Sequence, residues 1–323
     1  MSADGANRLA LAVYCLLALW VVFRDVETAP AARPNPQSAI PRTSELLVTA
    51  RLDRLRASPL GRHVRELLRA EQPLGWDDPA CRQLEDVDEL ALGLPRVELG
   101  QAFEALYVAF VSPLRPEEWE RCARRLAAAR GRELDVSHRG GYRRLALAGG
   151  AADSGSLAMR DDGLLLWGGA PQVEAMVATA AGHTPSAVAA EDHRVLREIV
   201  GVNGALLVSW SGEPGMLLPG VRAAALRVDM GERVELSGVL RCVDETSCEG
   251  HLDPLRALAA RLGARERGDF KLHDQGEVVR FRLSVPSHDA VRWVDTWLAS
   301  EPEPTDLVEP QLAEPEIEAL QIP

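Results

Sequence analysis

Four residues supply the best hydrolytic centre this chain can offer: Ser209 or Ser211, in the run Ser209-Trp210-Ser211-Gly212, with Asp192-His193 upstream. A nucleophilic serine needs a base within hydrogen-bond reach and a third group that orients the base. The G-x-S-x-G text of a nucleophile elbow is absent. Seven histidines scattered over 323 residues produce such combinations by composition alone. His63 and His193 sit in helical text, and His138 and His273 precede hairpin turns. All four read as ordinary core or surface histidines.

Cys242, Cys248 and His251, with His273 as a fourth ligand, would make a zinc site. The spacing C-x5-C-x2-H matches no common structural zinc motif. The cysteines read better as disulfides. Cys242 and Cys248 bracket the polar loop Val243-Asp244-Glu245-Thr246-Ser247, which a bridge would pin. Cys81 and Cys122 then pair by elimination, one bridge in each half, provided the compartment is oxidising. The alternative is four free buried thiols.

Charged clusters add little chemistry. Arg121, Arg124, Arg125, Arg130, Arg132, Arg139, Arg143 and Arg144 gather along one helix and the hairpin after it, where they could hold an anionic lipid head group. Glu117, Glu118, Glu120, Glu133 and Asp135 interleave them, and the reading favoured is a solvated, salt-bridged face. The carboxylate pairs Asp77-Asp78, Glu117-Glu118, Asp161-Asp162 and Glu191-Asp192 each suit a local turn or first-turn role. Gly149-Gly150 and Gly168-Gly169 lack phosphate-loop spacing. The sequence thus yields no catalytic, cofactor-binding or metal-binding set.

The elements that would position these residues are legible in part. Leu9 to Phe23 is an unbroken apolar run of fifteen residues, with Arg8 before it and Arg24-Asp25 after it. A helix over it spans roughly 22 Å, short of the ~30 Å hydrocarbon core, which flanking residues and snorkelling arginines can extend. The charge asymmetry keeps the N-terminus in the cytoplasm and exports the rest. Residues 1–28 therefore read as a single-pass membrane anchor or signal segment. Ala29-Pro30-Ala31 would fit cleavage and secretion, and a buried cytosolic helix is the third alternative.

Residues 29–44, with Pro30, Pro34, Pro36 and Pro41, read as a semi-rigid linker. Residues 45–300 read as an α+β domain of mostly antiparallel sheets covered by helices, with possible lobes 45–200 and 201–300. Asp161-Asp162-Gly163 turns a hairpin between Leu157–Arg160 and Leu164–Trp167. A second hairpin turns at Asp229-Met230-Gly231-Glu232. Val279, Phe281, Leu283 and Val285 alternate with Val278, Arg280, Arg282 and Ser284, as in a sheet with one wet face. Ser58-Pro59, Pro116, Asp253-Pro254 and Ser287 mark helix starts. A weak internal duplication is suggested by two strand–helix–hairpin–helix units. One begins at Tyr107–Val111 and the other at Val234–Cys242. Residues 301–323 hold seven acidic residues, no basic one and recurring Glu-Pro text, which predicts a disordered tail.

Net charge is −12, and without a basic stripe nucleic acid is not an expected partner. One lysine, Lys271, stands against 35 arginines, the codon bias of a GC-rich bacterial genome. The function expected is a non-catalytic, membrane-tethered envelope protein that binds or scaffolds, held by residues 9–23 and meeting a protein partner in the envelope. The alternative is an envelope hydrolase with an unrecognised site.

Overall fold

The computed structural model describes residues 34–71, 81, 87–95, 105–129, 131–149, 155–213, 218–262, 264 and 269–299. The anchor run Leu9–Phe23, the tail 301–323, Asp77-Asp78 and Arg130 lie outside these residues. No helix among the described residues is long and apolar enough to cross a membrane.

The domain is α+β and is organised by one antiparallel sheet of twelve strands. In chain order the elements are β1 (Leu46–Arg51), α1 (Leu52–Ala57), α2 (Pro59–Glu71), β2 (Glu89–Leu94), β3 (Tyr107–Val111), α3 (Pro116–Ala129), β4 (Leu134–Arg139), β5 (Tyr142–Leu147), β6 (Ser156–Met159), β7 (Leu164–Gly168), α4 (Ala170–Ala180), α5 (Glu191–Val200), β8 (Leu206–Ser211), β9 (Val221–Met230), β10 (Arg233–Cys242), α6 (Glu245–Glu249), α7 (Leu252–Arg261), β11 (Phe270–Asp274), β12 (Val278–Pro286) and α8 (Ser287–Ala299). Short 3-10 turns add Pro36–Ala39 and Ala187–Ala189. Across the sheet the strands run β11-β12-β10-β9-β8-β1-β2-β3-β7-β6-β5-β4.

Strand alternation sends apolar side chains to both faces near the middle of the sheet. In β3, Val108 and Phe110 join the core built with α1, α2 and α3, while Ala109 and Val111 face Val173 and Met176 of α4. Ala91, Ala109 and Ala158 keep that second face shallow, so α4 and the Pro36–Ala39 turn seat close to the strands. Beneath α5 the same side is built from Leu207, Ala223, Ala225 and Val239 against Leu196 and Val200. The single wet face expected from β12 holds only locally: Arg280 and Arg282 are exposed, whereas the central strands are covered on both sides.

Local rules explain several starts and turns. Ser58 Oγ accepts from the Gly61 N–H at 2.9 Å, capping α2 with Pro59 as its first residue. Gly163 adopts φ +89° where β6 turns into β7, and an added Cβ would lie 2.3 Å from the Ser112 carbonyl oxygen. Glycine is therefore demanded twice at that position. Asp253 does not cap α7. Helix α6 runs almost directly into it, and His251 takes the cap position without a side-chain bond, leaving Asp253 in the first turn beside Arg256. Ser287 Oγ donates to the Gly231 carbonyl, tying the start of α8 to the β9–β10 turn.

The linker expectation for residues 29–44 needs correcting at its C-terminal end. Asn35 caps the 3-10 turn, Ala39 and Ile40 are fully buried, and Pro41 bridges to Ser186. Few apolar residues suffice because Gly93 leaves a recess: a Cβ there would meet Ile40 Cγ2 at 2.4 Å. The backbone polar groups are met as well, by Arg42 N–H to Pro185 O and Ala187 N–H to Ile40 O.

The segments on either side of residue 200 share this one sheet, because β1 pairs with β8 over Leu46↔Trp210 to Ala50↔Leu206. In each half three adjacent strands lead through helix to an outer edge strand, and the chain then returns inward. The return takes four strands, β4 to β7, in the first half and two, β11 and β12, in the second. That parallel wiring does not establish a duplication.

Candidate functional site

The most polar interior of the described domain lies where α5 crosses β1 and β8. Helix spacing puts His193 and Arg197 on one face, one turn apart, and strand pairing puts Ser209 opposite Leu47. His193, Arg197 and Ser209 are 2%, 4% and 0% exposed. The His193 ring bridges Ser209 Oγ at 2.9 Å through Nδ1 and the Ser44 carbonyl oxygen at 3.0 Å through Nε2. A carbonyl oxygen only accepts, so Nε2 carries the proton and Nδ1 accepts from the Ser209 hydroxyl. Burial holds the His193 pKa below its ordinary 6.5, which keeps the ring neutral.

This arrangement brings together two of the sequence candidates but does not build a hydrolase. The second ring nitrogen faces a backbone carbonyl instead of a carboxylate. Asp192 instead accepts from Ser211 Oγ at 3.2 Å on the exposed side of the helix. Ser209 Oγ is sealed from solvent, so no substrate reaches it. The His193 contacts instead clasp α5 to β8 and to the segment before β1.

Arg197 is not among the sequence candidates, yet a local signal places it inside: with His193, Leu196 and Val200 it occupies the i, i+3, i+4, i+7 stripe of a core-facing helix. Its Nη2 donates to Gln37 Oε1 at 2.6 Å and to Thr49 Oγ1 at 3.1 Å. Its Nη1 is buried and has no hydrogen-bond partner. Burial pulls its pKa down to about 10. A guanidinium held by two neutral oxygens and no carboxylate is an expensive group to bury.

The other candidates separate. Cys81–Cys122 and Cys242–Cys248 are disulfides, so neither Cys242 nor Cys248 is a thiolate ligand for zinc. His251 Nε2 faces the Pro219 carbonyl at 2.8 Å, and His273 stands on edge strand β11. No grouping of histidine, cysteine and carboxylates suited to a metal occurs among the described residues. His63 pairs with Asp295 at 2.6 Å, joining α2 to α8. The arginine face is salt-bridged, partly through the expected acids: Arg143 meets Glu117 and Glu120, whereas Arg144 and Arg139 meet Glu174 of α4, which the local sequence does not suggest. Arg124, with Arg143, holds Glu120 below the usual carboxylate range, and Arg144 does the same for Glu174. A cavity of about 180 Å3 opens between α4 and strands β4 to β6, with Asp135, Ser137, Arg144, Ser156 and Glu174 in its lining. In its wall the Arg144–Glu174 ion pair stands beside the Asp135 carboxylate.

Comparison with known proteins assigns no family. No family model matches the chain. No curated protein matches it either. A solved structure titled "Structure of crystal form I of TP0453" aligns with a TM-score of 0.47 at 9% identity, covering 82% of this chain and 99% of that one.

Proposed function

We propose that the chain is a non-catalytic, membrane-tethered domain that binds or scaffolds in the cell envelope, outside the cytoplasm. The two disulfides carry this reading, because such bridges persist in oxidising, exported compartments. The apolar run Leu9–Phe23 supplies the tether, and its flanking charges set the orientation. The burial of Ser209 and the pairing of His193 with a carbonyl support binding over catalysis. The acidic, aliphatic-spotted tail 301–323 supplies a docking segment for a basic partner surface.

Two measurements test the proposal. A reporter fused after residue 300 is active only if it works outside the cytoplasm, and activity of a cytoplasm-only reporter there overturns the topology. A fluorophosphonate probe leaves Ser209 unlabelled in the folded protein. Labelling that is lost in Ser209→Ala restores the hydrolase reading.

A further inference from the structure

We propose that residues 36–44 form a releasable strap over the α5 face, and that its release opens a site for a phosphate-type oxoanion centred on Arg197. The strap's Gln37 oxygen is one of the two hydrogen-bond acceptors that Arg197 reaches among the described residues. The second, Thr49, lies on β1 beneath it. Among the described residues no carboxylate forms an ion pair with the guanidinium, and Nη1 has no acceptor.

This is an unusual way to bury an arginine. Buried charges in folded proteins are paired, because an ion removed from water recovers its hydration only from opposite charge and a full set of hydrogen bonds. Here a neutral amide oxygen occupies the place an anion would take in front of a planar fork of donors. The closed state therefore carries a penalty that opening removes, since a lifted strap lets water or an anion reach Nη1 and Nη2.

The strap is fastened at a few discrete points. They include Arg42 N–H to Pro185 O, Ala187 N–H to Ile40 O and the buried bond from His193 Nε2 to the Ser44 carbonyl at 3.0 Å. Its apolar hold centres on Ala39 and Ile40. The sheet beneath keeps its own ladder, since β1 stays paired with both β2 and β8 whether or not the strap is seated. The strap can thus detach as a local unit while the core stays folded. The Thr49 hydroxyl remains beside the guanidinium, accepting from Nη2 and donating to the Leu207 carbonyl of β8.

Hydrogen exchange on the full-length protein tests this. The Arg42 and Ala187 amides are expected to exchange through a local opening, faster than the Ala109 and Leu207 amides of the core strands. Inorganic phosphate at ten times its affinity for the open state raises that opening about tenfold, whereas chloride of equal ionic strength does not. Vesicles of phosphatidylcholine with phosphatidylglycerol form a second arm. Acceleration by inorganic phosphate assigns the site to a free oxoanion, acceleration by vesicles alone assigns it to a lipid head group, and acceleration by neither overturns the proposal. Arg197→Met removes the buried charge at similar volume, so it slows strap exchange and abolishes the phosphate effect. Faster strap exchange in that variant shows Arg197 to be a simple structural tie and overturns the proposal. Should Arg197→Met not fold, Gln37→Ala serves instead: it speeds strap exchange and keeps the phosphate response, and loss of that response counts against the site.

Discussion

Removing the two disulfides one at a time should cost unequal amounts, and the inequality follows from chain separation. Cys81–Cys122 closes a loop of 41 residues and Cys242–Cys248 one of 6. In the chain-entropy account a cross-link stabilises by restricting the unfolded state, with an entropy that grows as the logarithm of loop length. That relation gives about 4 kcal/mol for the long loop and about 2 kcal/mol for the short one at 25 °C. All four cysteines are buried, at 0–1% exposure, so paired replacement by alanine leaves comparable voids and the difference between the two double variants isolates the loop contribution. Urea unfolding of a form lacking residues 1–33, followed by circular dichroism, measures both losses, and the Cys81→Ala/Cys122→Ala protein should also show the larger m-value as its denatured state expands. Equal losses, or a larger one for Cys242→Ala/Cys248→Ala, would refute the reasoning and place the stabilisation in native packing around Cys248.

Gly163→Ala should destabilise by about 2 kcal/mol or more, because positive φ and the Ser112 carbonyl both oppose a Cβ, and urea midpoints measure it. His193 gives a pH dependence of definite sign. Its folded pKa lies below its ordinary 6.5, so the unfolded chain binds the proton more readily; stability is full above that value and declines as pH falls below it. Urea midpoints between about pH 5 and pH 8 should show this decline, and His193→Gln should flatten it. Deleting residues 301–323 should leave the melting temperature unchanged and abolish a salt-sensitive co-purifying partner. Unfolding would show that the tail packs on the domain.

The legible parts of the fold were those decided within a few residues. Ser58-Pro59, the Asp161–Gly163 turn and the alternation from Val278 to Val285 each state their structure locally, and the Cys242–Cys248 spacing is equally short-range. The strap resembles a linker in sequence because its prolines are frequent and its buried aliphatic anchors are few, chiefly Ala39 and Ile40. What holds them is a recess at Gly93, more than fifty residues away. The cap at Asp253 was misplaced because α6 precedes α7 so closely that the turn bonds of one helix start the next. His193 was noticed only for its chemistry, and its partner Ser44 lies on another element altogether. Arg197 carries a faint signal, since it shares the stripe of His193, Leu196 and Val200, but an arginine in an amphipathic helix ordinarily points to water.

The pairing of β1 with β8 sets the order in which the molecule can be completed. Strand β1 lies in the middle of the finished sheet, yet Leu46 meets Trp210 only after more than 160 further residues have been made. At a synthesis rate of ~5–20 residues per second, β1 waits on the order of ten seconds or longer with one edge open. Throughout that interval the nascent first half presents Leu46 to Ala50 as an unpaired strand, the kind of surface that recruits other chains. Coverage of that edge during the interval, by a holding chaperone or by the chain's own segments, would reduce such recruitment. Expression of residues 1–200 alone should accumulate as aggregate for the same reason.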